Sequence, residues 1–372
     1  MIALAGGEAA WGLRSLPRLQ DFKPGGAVPL PRVSVIIPAR NEAAKLEEAL
    51  ASVLALDYSG YEVIAINDRS TDDTGALLDR IAVKHPGRLR VLHLTELPKG
   101  WLGKNYALHY GATIASGDLL LFTDADVVFH PSALSRAVCA LDLLAADHLT
   151  AGATLRCPTP LLRFMVALFI LLFLVYTRPW RARDKKSKRH AGIGAFNLIR
   201  ASTYKAIGGH GPIRLRPDDD LMLGKLVKLR GFRQELADGS DFIEVEWYSS
   251  VGELIHGLSK NSFAGLGYSV PNLVLSTAGL LLFFVFPYVA LPVTTGPTQL
   301  LYLTCVVLPV LFLFDPVFRM QLRLWQGLLF PFGVVLFLYI LWRSTLLTLV
   351  RGGIEWRGTQ YSLAELRANK LE

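Results

Sequence analysis

The first 155 residues alternate between short apolar runs and stretches of helical spacing. VSVII (33–37) is an apolar run closed by the polar PARNE (38–42), and EAAKLEEALASVLA (42–55) has a helical pattern. YEVIAI (61–66) leads into NDRSTDDT, RLRVLHL (88–94) is a third strand, and DLLLFTD (118–124) a fourth. Strands that alternate with helices predict a parallel sheet covered on both faces. Ligands of such sheets sit at the carboxyl ends of the strands. Three of these four strands end in polar or acidic residues.

Farther along, the pattern changes to long apolar stretches. Residues 264–314 contain no Asp, Glu, Lys or Arg, which is about 50 residues where one membrane span needs roughly 20. The polar TTGPTQ (294–299) divides the stretch into predicted spans at 271–291 and 300–314. After Asp315, Arg319 and Arg323, residues 324–342 are again uncharged and long enough to cross. Residues 161–177 are apolar and are followed by RPWRARDKKSKRH, a combination that suits a helix lying in the membrane interface. The N-terminus has neither an apolar run of spanning length nor a signal-peptide pattern.

Composition agrees: the 372 residues are 52% hydrophobic and 19% charged, apolar for a soluble protein. A formal net charge of +8 calls for an anionic partner, and lipid headgroups and phosphorylated substrates both fit. Cys139, Cys157 and Cys305 are too dispersed for a metal site or a disulfide framework, and read as buried thiols.

Asp124 and Asp126 directly follow the fourth strand. Two carboxylates at i and i+2 there repel each other and lose hydration, and a divalent cation removes that cost. Mg2+ or Mn2+, with substrate phosphates completing the shell, is the expected cofactor; a solvated acidic loop is the plain alternative. Asp68 ends the second strand, where a carboxylate accepts a hydrogen bond from a base or ribose. Asp72 and Asp73 read as helix caps. Pro38, Arg40, Asn41 and Glu42 form the first loop. Lys104, in GWLGKN, is either a cation for a diphosphate or a surface lysine.

SVIIPARNE (34–42), NDRSTDDT (67–74) and Asp124-Ala-Asp126 resemble the donor half of family 2 glycosyltransferases, in the expected order. GAFNLIR (194–200) and AIGGH (206–210) resemble the acceptor-side segment, which places Gly194, His210, Asp219 and Trp247 in a possible acceptor region. DDDLML (218–223) with KLRGFR resembles the family's Glu-Asp-x-x-Leu block, Asp219 standing for the Glu and Asp220 for the Asp that is the catalytic base. WRGTQY (356–361) resembles an ending of membrane-bound members, and the nearest likeness is to hopanoid-associated, carotenoid and ceramide enzymes.

The resemblance implies an α/β, GT-A-type, Rossmann-like mixed sheet with helices on both faces, followed by a C-terminal transmembrane helical region. The implied domains are an N-terminal segment (1–31), a catalytic domain (32–263), a transmembrane region (264–350) and a tail (351–372). The implied activity is inverting transfer of a sugar from a nucleotide-sugar, expected to be UDP-linked, to a lipid or lipid-linked acceptor at the cytoplasmic membrane face. Asp220 would be the general base, Asp126 the metal ligand, and Pro38, Arg40, Glu42, Asp68, Lys104, Asp124 and Lys260 would line the donor.

Two departures qualify it. The Gln-x-x-Arg-Trp motif of processive synthases is replaced by GLSKNSF (257–263), which favours single transfer over the alternative, a polysaccharide or glycan-chain synthase. Lys260 would then stand in for the missing Arg as a point charge. The N-terminal span of such relatives is also missing. A cytoplasmic catalytic domain, three spans and an inside tail cannot coexist, and Arg351, Arg357, Arg367 and Lys370 draw the tail inside, so one apolar segment is expected to be re-entrant. Charge-free spans argue against a transporter, PARNE is not the phosphate loop of a nucleotidyltransferase, and no nucleic-acid partner is expected.

Overall fold

The computed structural model describes residues 2–25, 30–315, 320–369 and 371; Arg319 and Lys370, counted above as charges, lie outside them. The chain folds into two compact units. One comprises Leu16–Arg156, Pro179–Glu246 and Asn369–Glu372, and the other Met1–Ser15, Cys157–Arg178 and Trp247–Ala368.

The first unit is built on a mixed sheet. Its strands in chain order are β1 (Val33–Ala39), β2 (Tyr61–Asp68), β3 (Leu89–Leu94), β4 (Leu119–Phe122), β5 (Val127–Phe129), β6 (His148–Gly152), β7 (Thr154–Leu155), β8 (Asn197–Arg200), β9 (Gln234–Asp238) and β10 (Ile243–Val245). Seven of them run in the order β3-β2-β1-β4-β8-β6-β9, while β5, β10 and β7 form a small second sheet. The four predicted strands pair in parallel, and β8 joins β4 antiparallel, with Leu119 opposite Arg200. β6 is antiparallel to β8 and parallel to β9.

β1 and β2 are mostly apolar and buried along nearly their whole length because both faces are covered. Val33, Val35 and Ile37 enter one core and Ile36 the other, the period of two that a strand imposes. The helix Ala43–Leu54 buries Leu46, Ala49, Leu50 and Val53, one stripe at 3.6 spacing, on the first face. The helices Gly103–Ile114 and Asp219–Leu229 supply Ala107, Leu108, Leu223, Leu226 and Val227 to the other.

The second unit is mostly helical. Among the described residues of the chain, four helices are long and apolar enough to cross a membrane: Pro160–Arg183, Val270–Val293, Gly296–Leu313 and Leu324–Val350. The last three match the predicted spans; Val270–Val293 passes through a π-helical turn at Leu281–Val285. Large apolar side chains stand exposed along them, among them Leu275, Leu282, Leu300, Leu301, Leu328 and Phe332, as expected of surface that meets lipid. Within the unit, the helix Val251–Gly265 begins at Ser250, whose hydroxyl accepts from Glu253 N at 3.1 Å. Its Phe263 N donates to Ser344 Oγ at 3.1 Å. A hairpin of β11 (Gly353–Trp356) and β12 (Thr359–Ser362) closes the unit.

Candidate active site

The loops at the carboxyl ends of β1 and β2 are knitted together. Asn41, in the left-handed region at φ 56°, donates through its backbone to Ser70 Oγ, and its Oδ1 accepts from Thr71 N at 2.8 Å. Glu42 N donates to Thr74 Oγ1 at 2.9 Å. Asp72 takes hydrogen bonds from Thr74 N and Ala43 N, the capping role expected of it; Asp73 precedes the helix Thr74–Lys84 without a side-chain cap bond. Pro38 ends β1's apolar run, and Arg40 follows it.

Asp68 is 1% exposed at the end of β2. Arg69 Nε donates to its Oδ1 at 2.8 Å, and Arg40 lies 3.7 Å from its Oδ2. That Oδ2 is buried without a hydrogen bond, an acceptor suited to a ligand's N–H or O–H. Gly103 makes this packing possible, because a Cβ there would lie 2.2 Å from Asp68 Oδ2. The helix Gly103–Ile114 is thereby seated against β2 at its first residue, and Lys104 comes next.

Lys104 is no surface lysine. Its Nζ lies 2.8 Å from Asp124 Oδ1 and 3.4 Å from Asp219 Oδ1. The helix start is held there by Leu102 N to Arg214 O and by Asn105 Nδ2, which donates to the carbonyls of Ile213 and Arg216. Thr123 Oγ1 donates to Ala195 O, and Asp124 N to Gly194 O, so the end of β4 meets the turn before β8. A Cβ on Gly194 would stand 2.6 Å from Asp124 Oδ2 and 3.5 Å from Asp220 Oδ2. Only a residue without a side chain lets the Asp124 carboxylate come so near the backbone, while the Asp220 distance is an ordinary contact.

The three successive aspartates are separated by their partners. Arg216 grips Asp218 with two bonds of 2.8 and 2.7 Å. Asp219, 4% exposed, faces Lys104. Asp220 Oδ1 accepts from Leu221 N, inside the first turn of the helix Asp219–Leu229, where the helix dipole favours a negative charge. Lys104, Asp124, Gly194, His210, Asp219 and Asp220 line one cavity of about 10 Å3, room for roughly one water. His210 is fully buried there, with its Nδ1 2.7 Å from the Tyr204 hydroxyl, and burial keeps it neutral.

Negative charge is in excess. Burial pushes the carboxyls of Asp219 and Asp220 upward, with Lys104 opposing. Asp126 is raised to about 6, first by burial and then by Asp124. Lys104 is held firmly protonated: burial opposes its charge, and Asp124, Asp219 and Asp220 outweigh it. Among the described residues, no three His, Cys, Asp or Glu side chains converge as a ready metal site. An excess of carboxylate over nearby cations nevertheless fits a divalent cation held by one or two carboxylates, its shell completed by phosphate and water.

Of the predicted residues, Lys104, Asp124, Gly194, His210, Asp219 and Asp220 are brought together. Lys260 and Trp247 belong to the helical unit. Trp247 packs there at a tilt against Tyr248 and Phe169, centroids 4.7 and 5.2 Å apart. Sequence reasoning missed Arg216, Asn105 and Arg69; only the last carried a signal, its place beside Asp68.

Residues 34–208 match the family described as Glycosyl transferase family 2. The 4,4'-diaponeurosporenoate glycosyltransferase of Staphylococcus aureus strain USA300 is 24% identical over 344 residues, covering 90% of this chain and 89% of the relative. That of strain MRSA252 is 24% identical over 348 residues, with the same coverage. Among solved structures, a mannosyltransferase from Pyrobaculum calidifontis in complex with GDP-Man and Mn2+ shares the fold, with a TM-score of 0.55, 20% identity and coverage of 92% of this chain and 96% of that one. Residues 34–208 thus carry a family 2 glycosyltransferase domain, and the chain shares the fold of the Pyrobaculum mannosyltransferase.

Proposed function

We propose that the chain transfers a sugar from a nucleotide-sugar, of the UDP-sugar class, to a hydroxyl of a lipid or lipid-linked acceptor at the cytoplasmic membrane face. The observation that carries this reading is the convergence of Asp124, Asp219 and Asp220 on Lys104 at the carboxyl ends of the strands. In this reading Asp220 takes the proton from the acceptor hydroxyl as its oxygen bonds to the anomeric carbon and the bond to the diphosphate breaks. Lys104 faces the charge that grows on the leaving diphosphate. Asp68, whose Oδ2 makes no hydrogen bond within the protein, accepts from the base or ribose, and Pro38, Arg40 and Glu42 form the wall beside it.

Asp126, with Asp124, would hold Mg2+ or Mn2+, which neutralises the diphosphate when bound. The GDP-Man and Mn2+ of the mannosyltransferase and the carotenoid acid named in the Staphylococcus relatives support a metal-dependent donor site and an apolar acceptor.

Connectivity constrains the membrane arrangement. Both flanks of Pro160–Thr177 belong to the sheet-bearing unit, so in this reading the helix lies in the interface. The chain leaves the sheet-bearing unit after Glu246 and rejoins it at Asn369, whose side chain donates to Pro212 O and accepts from Leu215 N, each at 3.0 Å. The crossings between those points are therefore even in number. Val270–Val293 and Gly296–Leu313 are 17% and 11% buried by protein, against 44% for Leu324–Val350. The first two cross as a hairpin, and the third lies against protein. In this reading the conflict of three spans falls away, and the tail cations Arg351, Arg357 and Arg367 favour a cytoplasmic side for the tail.

The test is the purified chain in detergent, offered UDP- and GDP-sugars with lipid extract, with and without EDTA. Metal-dependent appearance of a glycolipid supports the reading. Sugar released only to water, or equal activity in EDTA, opposes it.

A further inference from the structure

The helical unit has a cavity of its own, about 310 Å3, between the helices Val251–Gly265 and Phe330–Val350 and the β11–β12 hairpin. Its volume is at the lower end of ligand pockets. Its chemistry is one-sided. Lys260, Arg343, Arg351 and Arg357 line it together with His256, and Glu355 is the only carboxylate among the described residues that line it. Arg351 reaches Glu355 at 4.0 Å. No hydrogen bond or ion pair joins Lys260 or Arg343 to a protein group among the described residues. Burial, and then the neighbouring Arg357, push the Lys260 ammonium downward, with Glu355 opposing.

Arg357 carries an independent sign. It and Gly358 form the two-residue turn of the hairpin, with φ of 50° and 82°. That turn prefers Asn, Asp or Gly at its first position. An arginine in the left-handed region costs about 1 kcal/mol or more, and such strain persists where a side chain is needed. Here the strained residue aims a guanidinium into a cavity that already holds more cations than acids.

We propose that this cavity is a binding site for a phosphate-bearing anion. Cations gathered in a half-buried space repel one another, and a phosphate offers them shared charge-assisted hydrogen bonds. Two sources supply that group: the headgroup of an acidic membrane lipid, or a soluble diphosphate such as that of a nucleotide. The cavity lies beside Leu324–Val350, an apolar helix of membrane character, where lipid phosphates are within reach of basic side chains. Lys260 thus belongs with Arg343 and Arg357 rather than acting as a lone substitute for an absent arginine.

The experiment uses the full chain purified in neutral maltoside detergent. Binding of dioleoylphosphatidylglycerol is measured by native mass spectrometry with dioleoylglycerol as the phosphate-free control, and binding of inorganic pyrophosphate by calorimetry. Lys260→Gln/Arg343→Gln is compared with the charge-conserving Lys260→Arg/Arg343→Lys. Loss of two charge-assisted contacts is expected to weaken a phosphate-bearing probe by about a hundredfold, roughly tenfold per cation. The charge-conserving pair should stay within a few-fold of wild type. A loss confined to phosphatidylglycerol identifies a lipid source, and one confined to pyrophosphate a soluble source. If both probes bind the double Gln variant as they bind wild type, or if phosphatidylglycerol binds no better than dioleoylglycerol and pyrophosphate does not bind, the proposal falls. Both measurements are made without donor sugar or turnover, so failure here is separable from failure of the transferase reading.

Discussion

Replacing Lys104 by Met removes the cation that Asp124, Asp219 and Asp220 face while keeping a side chain of similar length. At an effective dielectric of 20, the contacts at 2.8 and 3.4 Å are worth about 6 and 5 kcal/mol before desolvation is counted. The net cost is far smaller. Asp124's side chain is 39% exposed and water screens its share, and Asp219, already pushed upward by burial, takes up a proton instead. Stranding a buried charge costs about 3–5 kcal/mol, so Tm should fall by roughly 10 °C for a unit of this size. The sign with pH follows. A carboxylate whose folded pKa is raised binds protons more readily folded than unfolded, so its penalty is full at high pH and fades on acidification. The deficit of Lys104→Met should be largest near pH 8 and shrink toward pH 5. Thermal unfolding of both proteins in one detergent across that range reads it out. A Tm change under about 2 °C at pH 8, or a deficit that grows toward acid, would refute the charge-balance argument.

Gly194→Ala forces a Cβ to 2.6 Å from Asp124 Oδ2; a loss of about 1–3 kcal/mol and at least a tenfold drop in transfer are expected, and wild-type activity would remove Gly194 from the site. Asp220→Asn should cut transfer about 10²–10⁴-fold with nucleotide affinity by calorimetry within a few-fold, whereas Asp126→Ala should weaken nucleotide binding only when metal is present. If Asp219→Asn alone abolishes transfer, the base assignment is off by one residue. His148 is buried between Asn197 and Gln234 and lowered to about 4 by burial. Its depressed pKa means that the unfolded chain takes the proton first, so stability should fall by up to about 3 kcal/mol as pH drops from 6.5 to 4. His148→Gln should flatten that acid slope relative to wild type, and an unchanged slope would contradict the assignment.

The strands β1, β2 and β4 were legible because each is a run of mostly apolar residues closed by polar ones, and the membrane-type helices because their lack of charge extends over nearly 20 residues or more. β6, β8 and β9 were not. Asn197–Arg200 is four residues leading straight into a helix, and its partners come from positions nearly 80 residues upstream in β4 and 50 in β6. The two-residue β7 and three-residue β10 are too short to carry a period. In the site, local pattern located the carboxylates and left Lys104 between two readings. Asn105 and the 213–216 turn decided between them by drawing the helix start onto Asp219, a contact no spacing rule encodes. The run of three aspartates was ambiguous for the same reason, since Arg216 and Lys104 tell them apart only in three dimensions. Lys260's neighbours come from the C-terminal hairpin, nearly 100 residues downstream, and a motif comparison alone could not supply them.

The central claim is that one chain holds both a metal-assisted donor site and the base that activates a lipid hydroxyl. The most direct measurement is sugar transfer by the purified full-length chain from a panel of UDP- and GDP-sugars to a radiolabelled lipid extract, run beside Asp220→Asn and with EDTA. The account predicts a labelled glycolipid from wild type with Mg2+ or Mn2+, and none from Asp220→Asn or in EDTA. A glycolipid formed at equal rate by Asp220→Asn, or by wild type in EDTA, would contradict it.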